Sequence, residues 1–158
     1  MTILLLLTQA GGDKVSTNIV KGYRTYLLAA GKISALTTRI YYGNLPQSVT
    51  LPAIVLNLTA NQSHRNLSGP EALARATIQV DCYASGSGSY AASVGLGEAV
   101  REVTELDSVT TWGTETVGHK TVSTSRDEQD KPIDGSDSFR NVRTLDVDVW
   151  HKQQIPST

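Results

Sequence analysis

The chain has 158 residues, a length that predicts one domain able to bury on the order of 70% of its unfolded surface and to fold without disulfides or metals. Its 14 Lys and Arg against 15 Asp and Glu give a formal net charge of -1, which provides no electrostatic basis for tight general binding to nucleic acid or to an acidic membrane. The single cysteine, Cys82, excludes an internal disulfide and favours a cytoplasmic protein with a buried structural thiol.

An apolar leader, residues 1–12, precedes a single domain expected over residues 13–158. Its run of five apolar residues, Ile3–Leu7, is shorter than the apolar region of a signal peptide and far shorter than a membrane span. Secretion and membrane insertion are therefore not expected. Because an exposed run of this kind promotes aggregation, we predict that Ile3–Leu7 forms a short strand, paired within the subunit or along a neighbour's edge.

The first predicted element is an amphipathic helix that follows Gly12 and stops at Gly31, because apolar residues recur at spacings of three and four. These residues are Val15, Ile19, Tyr23, Tyr26, Leu27 and Ala30. Two extended segments, 39–47 and 51–62, are expected next, since prolines within them disfavour helix. A polar connection is expected over residues 63–73.

The most regular strand of the chain is Ala74–Ala84, ARATIQVDCYA. Successive side chains of a strand point to opposite faces, so Ile78 and Val80 share an apolar inner face with the small residues around them. The other face is polar and carries Arg75, Thr77, Gln79, Asp81 and Tyr83. This face carries one acid, Asp81, and one base, Arg75, but no nucleophile beside a general base, so nothing on it predicts catalysis.

A second helix is predicted after the Ser/Gly-rich segment 84–89. Its apolar stripe consists of Ala92, Leu96, Val100, Val103 and Leu106. Gly95 and Gly97 weaken a helix, which suggests that they allow it to approach the sheet closely. Two more strands, about 116–125 and 139–150, are expected on either side of a turn-rich acidic loop, 126–138.

This order of elements predicts an α+β two-layer domain, with a mainly antiparallel sheet of about five strands and two helices packed on one face. Ile78 and Val80 of the central strand should share a core with Leu145 and Val147 of the last strand. The matched periodicities place this core beneath the helical segments, Ile19–Leu27 and Leu96–Val103.

No pattern in the chain predicts an enzyme, a metal site or a cofactor site. His64, His119 and His151 lack the spacing of zinc ligands and are expected to be solvated or singly hydrogen-bonded. No serine lies in a nucleophile elbow, and the acids of residues 127–137 lack the closing glutamate of a calcium loop. A solvated hairpin loop explains these acids. Trp150 fits either packing within the subunit or anchoring of a neighbour.

Three segments, taken in order, resemble the tail completion or tail terminator proteins of long-tailed bacteriophages. They are RIYYGNLPQSVTLPAIVLNL, GPEALARATIQVDCYA and TLDVDVWHK, within a similarity that runs from about Lys14 to Lys152. The resemblance implies a non-enzymatic virion protein, assembled in the host cytoplasm, that forms a hexameric ring at the head-proximal end of the tail tube. Implied partners are further copies of the chain, the tail tube protein and the head completion or connector protein, while genomic DNA passes without specific binding.

Within such a ring, the polar face of the central strand suits a subunit contact, because it combines charge pairs with an aromatic anchor. The candidate interface residues are Arg75, Gln79, Asp81, Tyr83 and Trp150. The acidic loop is the candidate channel-lining or partner-facing element, through Asp127, Glu128, Asp130, Asp134 and Asp137. Two alternatives stay open: another neck or tube subunit, such as a head completion protein, and a small ligand-binding or enzymatic α+β domain with scattered site residues.

Overall fold

A computed structural model describes residues 11–66, 69–106, 110–130 and 139–152. These ranges contain helices α1 (Gly11–Ala29), α2 (Gly31–Ser34) and α3 (Ser89–Thr104), and strands β1 (Ile40–Tyr42), β2 (Ala53–Asn66), β3 (Gly69–Ser85), β4 (Thr110–Trp112), β5 (Glu115–Asp130) and β6 (Arg140–Lys152). The predicted leader strand, Ile3–Leu7, and the acids Asp134 and Asp137 lie outside the described residues. No helix within the described ranges is both long and apolar enough to cross a bilayer.

The strands form one sheet in the order β1-β2-β3-β6-β5-β4. Neighbouring strands are antiparallel, except that β1 runs parallel to β2. The α+β class and the mainly antiparallel sheet are therefore confirmed, whereas the described residues hold six strands and three helices instead of about five strands and two helices. Strand β1 lies within the extended segment predicted over 39–47. The additional strand is β4, which has three residues, too few for an alternating pattern to be visible. The additional helix α2 arises because Ala30 is extended (φ -78°, ψ 120°), so that Gly31 begins a new helical turn.

The core lies between the inner face of the sheet and the helices. Ile78 pairs with Val147, and Val80 pairs with Leu145, across the central β3–β6 ladder. All four side chains are fully buried in one cluster with α1 and α3 residues, which confirms the predicted core. Cys82 belongs to the same cluster, and its burial raises the pKa of the thiol well above its ordinary value.

Two glycines allow helices to approach the sheet. A Cβ on Gly22 of α1 would lie 2.0 Å from the carbonyl oxygen of Trp112 in β4, and one on Gly97 of α3 would lie 2.5 Å from Cδ of Arg143 in β6. The predicted close approach is thus confirmed for Gly97. It is wrong for Gly95, which is exposed and has no atom within 4 Å of such a Cβ.

Two hairpins are longer than the sequence pattern indicates. The segment 63–73, expected to be a polar connection, is strand on both sides of residues 67–68, with Asn66 paired to Gly69. The acidic loop expected over 126–138 is strand as far as Asp130, which pairs with Arg140. Residues 123–129 are all exposed, so this part of β5 needs no apolar alternation and resembles a loop in sequence. Because β3 and β6 are antiparallel, the β2–β3 and β5–β6 hairpins end at opposite ends of the sheet.

Candidate subunit and partner interfaces

The candidate interface residues lie together on the outer face of the sheet. Arg75, Gln79, Asp81 and Tyr83 alternate with the buried inner-face residues of β3. Trp150 is paired with Arg75 across the β3–β6 ladder and is half-buried. The helices of the described ranges pack on the inner face, around the core. The outer face of β3 and β6 is therefore not covered by these helices, and its exposed groups, such as Arg75, are available for contact with another molecule.

Asp148 of β6 is a fixed charge on this outer face. Its carboxylate accepts a hydrogen bond from Oγ1 of Thr77 at 2.7 Å and forms an ion pair with Nη2 of Arg75 at 3.1 Å. Burial of Asp148 opposes ionisation, but the bonds from Thr77 and Arg75 outweigh it, so the pKa of Asp148 lies below its ordinary value. Asp148 thereby holds Arg75 in place while 45% of the Arg75 side chain stays exposed.

Asp81 is also engaged within its own chain. Oγ1 of Thr144 donates to its Oδ1 at 2.7 Å, and Nε2 of Gln79 lies 3.1 Å from Oδ2. Only 8% of Asp81 is exposed. Farther along the strand, the guanidinium of Arg140 lies over the ring of Tyr83, 5.8 Å from its centroid. The outer face is thus a prearranged polar surface in which the exposed groups, rather than Asp81, are available to a neighbour.

The acidic residues of the β5–β6 hairpin do not form one cluster, because strand geometry divides them. Asp127 points to the inner side, where its carboxylate binds the guanidinium of Arg143 through contacts of 2.7 and 2.8 Å. Arg143 also reaches Oε1 of Glu98 in α3 at 3.2 Å. The bond from Arg143 is the main reason that the pKa of Asp127 lies below its ordinary value. Asp127 therefore connects the hairpin to α3.

Glu128 lies on the opposite side of β5 from Asp127. Its side chain is 64% exposed and lies 3.4 Å from Nε of Arg126. Asp130 is the last residue of β5. Of the two candidate acids whose side chains the structure describes, Glu128 is more exposed than Asp127, at 64% against 30%.

His151 is buried, so of the two states expected for the histidines, solvated or singly hydrogen-bonded, the solvated one is wrong for this residue. The inner-face alternation of β6 continues past Val149 to His151, which is 1% exposed. Its Nε2 lies 3.3 Å from Oδ1 of Asn61, and its Nδ1 lies 3.3 Å from the backbone oxygen of Lys152. Burial lowers the pKa of His151. The sequence pattern predicts a strand that ends at Trp150, and extending its alternation by one residue predicts the burial of His151.

An apolar groove, which the sequence pattern did not reveal, lies between α1 and the open side of β2. Its volume is about 250 Å³, and its lining residues are Val20, Lys21, Tyr42, Gly43, Leu56, Asn57 and Leu58. Small-molecule sites usually span about 300 to 1,000 Å³, so the groove is small for a ligand pocket. Its lining comes from three segments of the chain, and only the folded structure brings them together.

Comparison with known proteins shows that the chain is similar to a tail completion protein family and to a chain of a virion particle. A family model described as "Tail completion protein gp17" matches residues 24–152. Among solved structures, a chain of the "Virion of native gene transfer agent (GTA) particle" superposes with a TM-score of 0.56 at 14% identity, covering 86% of this chain and 97% of that one, which shows a shared fold. A second solved chain superposes with a lower TM-score of 0.44 at 18% identity, over 92% of this chain and 97% of its own. No curated protein matches the sequence.

Proposed function

This chain belongs to the tail completion protein gp17 family and is a structural tail protein, and we propose that it forms the ring that ends the tail tube of a phage-like particle. The ring is hexameric in this proposal, as the resemblance to tail terminator proteins implies. It joins the tube to the head connector and leaves a channel for DNA. The family supports a structural role over a catalytic one.

The observation that carries the proposal is the prearranged outer face of β3 and β6. Arg75 is fixed by Asp148 at 3.1 Å yet remains 45% exposed, and Trp150 lies beside it in the register. Because Asp148 already fixes Arg75, a partner that binds Arg75 and the neighbouring Trp150 indole costs little side-chain conformational entropy. Contacts between two different surfaces of identical subunits generate closed rings when the rotation between subunits closes. We assign the outer face to one side of such a contact.

The two hairpins suit contacts with the neighbouring layers of the neck. They end at opposite ends of the sheet, so one subunit can reach a layer on each side of the ring. The β5–β6 hairpin presents the exposed Glu128 and is proposed to face a partner or the channel. The net charge of -1 supports DNA passage without retention, since a strongly cationic wall would bind phosphates.

Light scattering and cryo-electron microscopy test this function together. The purified protein, alone or added to tubes of its cognate tail protein, is expected to give particles of six times the subunit mass of 17.0 kDa, located at one end of each tube. A chain that stays monomeric in both preparations and leaves tube ends bare would contradict the proposal. A map that places the ring in a different layer of the neck would support the alternative of a head completion or tube subunit.

A further inference from the structure

The open edge of the sheet lies directly beside the apolar groove. Strand β1 pairs with β2 only from Ile54 to Leu56, and at Gly43 (φ +76°) the chain turns away from the edge. Strand β2 continues to Asn66, and in the part of the chain that the structure describes no strand continues β1 past Tyr42. The described edge therefore provides room for one further strand.

The backbone of β2 is oriented to pair with such a strand. The N–H of Ile54 donates to the oxygen of Arg39, and the oxygen of Leu56 accepts from the N–H of Gly43, so alternate residues of β2 present both groups to this side. Leu58 is the next residue in the alternation. An exposed strand edge of this kind is a template for adding an extended segment.

The groove selects the chemistry of the added segment. Leu56 and Leu58 face inward and, with Val20 of α1, form the apolar wall of the groove beside this edge. A strand placed next to Leu58 would direct every second side chain into that space. An occupant must therefore be extended and carry apolar residues at alternate positions.

We infer that Ile3–Leu7 is this occupant and that it docks as an added strand on the open edge of β2, with alternate side chains in the groove. Ile3–Leu7 is apolar at every position, so either face satisfies the groove, whereas the other stretches outside the described ranges that exceed three residues, 131–138 and 153–158, are mostly polar. Three residues separate Leu7 from Gly11, where α1 begins. Docking on the same subunit or on a neighbouring copy uses the same edge and does not require the ring.

Disulfide crosslinking of the full-length protein tests the inference. Each of Ile3→Cys, Leu5→Cys and Leu7→Cys is combined with Leu58→Cys, and the native Cys82 does not interfere because it is fully buried. At least one pair should form a disulfide about tenfold faster than the matched pair with Ala91→Cys, an exposed α3 position, since a disulfide needs Cα atoms within about 7 Å. A fast-migrating monomer on a non-reducing gel assigns the segment to its own subunit, and a dimer assigns it to a neighbour. Rates equal to the control for all three pairs would overturn the inference.

Limited proteolysis gives a second readout. Leu58→Asp places a charge in the groove and should speed thermolysin cleavage within residues 1–10 about tenfold, because cleavage follows the population of the undocked state. Thr59→Asp is the control, since Thr59 is exposed and follows Leu58 directly in β2. Equal cleavage rates in the two variants would contradict docking in the groove. The crosslinking scan decides the question if Leu58→Asp does not fold.

Discussion

Gly22 has no side chain, and this allows α1 to pack directly against the backbone of β4. The α1 backbone packs on the carbonyl of Trp112, and the indole of Trp112 stacks on Tyr23 with ring centroids 4.3 Å apart. Trp112 is fully buried, so this contact joins the first helix to the short strand β4 in the core. Neither residue has a sequence signal for the other, because ninety positions separate them.

We predict that Gly22→Ala destabilises the protein and that Gly95→Ala does not. The added methyl at Gly22 would overlap the Trp112 backbone, an overpacking that typically costs about 1–3 kcal/mol and sometimes more. The same methyl on Gly95 would meet no atom within 4 Å. Gly95→Ala should therefore raise the free energy of unfolding by up to about 1 kcal/mol, because alanine has the higher helix propensity. Urea unfolding of both variants measures the difference. Equal midpoints would show that α1 can move away from β4.

His151 should make stability depend on pH near neutrality. Burial lowers its folded pKa below the ordinary 6.5, so the unfolded chain takes up a proton at a higher pH than the folded protein does. The stability associated with neutral His151 is thus complete above pH 6.5 and is lost as the pH falls from there through the folded pKa. His151→Gln should remove this slope of unfolding free energy, and His119→Gln, at an exposed position, should retain it. If the unfolding free energy instead rises on acidification, the ion pair between protonated His151 and Glu115, 3.9 Å from Nδ1, outweighs the effect of burial.

At the scale of elements, apolar periodicity predicted the parts of the chain that pack against each other. The helices around Tyr23 and Val100 and the inner face of β3 were predictable, because one face of each is buried. The ends of the hairpins were not, since a strand exposed on both sides carries no alternation. The outer face of β3 was predicted as a surface, but the bonds that hold Asp81 depend on the β3–β6 register, which the sequence does not encode locally.

Arg143 is one of the residues that attach the β5–β6 hairpin to α3, through its ion pairs with Asp127 and Glu98. Arg143→Lys keeps the charge but loses the two-point contact with Asp127, and a solvent-screened pair of this kind contributes roughly 0.2–1 kcal/mol. Amide exchange in residues 124–129 should therefore become faster, while exchange in the core segment of β3 stays unchanged. Arg126→Lys, whose ion pairs lie at 3.4 Å on the other side of β5, is the control. The role given to Arg143 is wrong if both variants exchange alike.

At the scale of the whole molecule, the described helices cover one face of the sheet, and assembly is expected to use the exposed groups of the other face. The outer face presents both signs of charge, with Arg75 held by Asp148, so it suits a specific contact better than general adhesion. The inner face is occupied by the subunit's own helices. This asymmetry is the basis for expecting subunits to meet through the sheet.

Charge reversal on the two faces tests this expectation with a matched pair. Arg75→Glu on the outer face and Arg101→Glu on α3 each reverse a charge that lies beside acids, at side chains that are 45% and 47% exposed. Arg75→Glu should abolish ring formation in light scattering, whereas Arg101→Glu should preserve it. Thermal melting checks that both variants fold. Rings in the first variant, or their loss in the second alone, would move the interface to the helical face.

The antiparallel β3–β6 ladder also has a mechanical consequence. Its rungs run without interruption from Leu73 and Lys152 at one end to Ser85 and Arg140 at the other, and each hairpin ends beyond one of these limits. Partners bound at both hairpins would pull along the strands, at right angles to the hydrogen bonds between them. Tension in that direction loads all the hydrogen bonds between β3 and β6 together instead of breaking them one after another. The sheet would therefore resist this force until these bonds break in one concerted step.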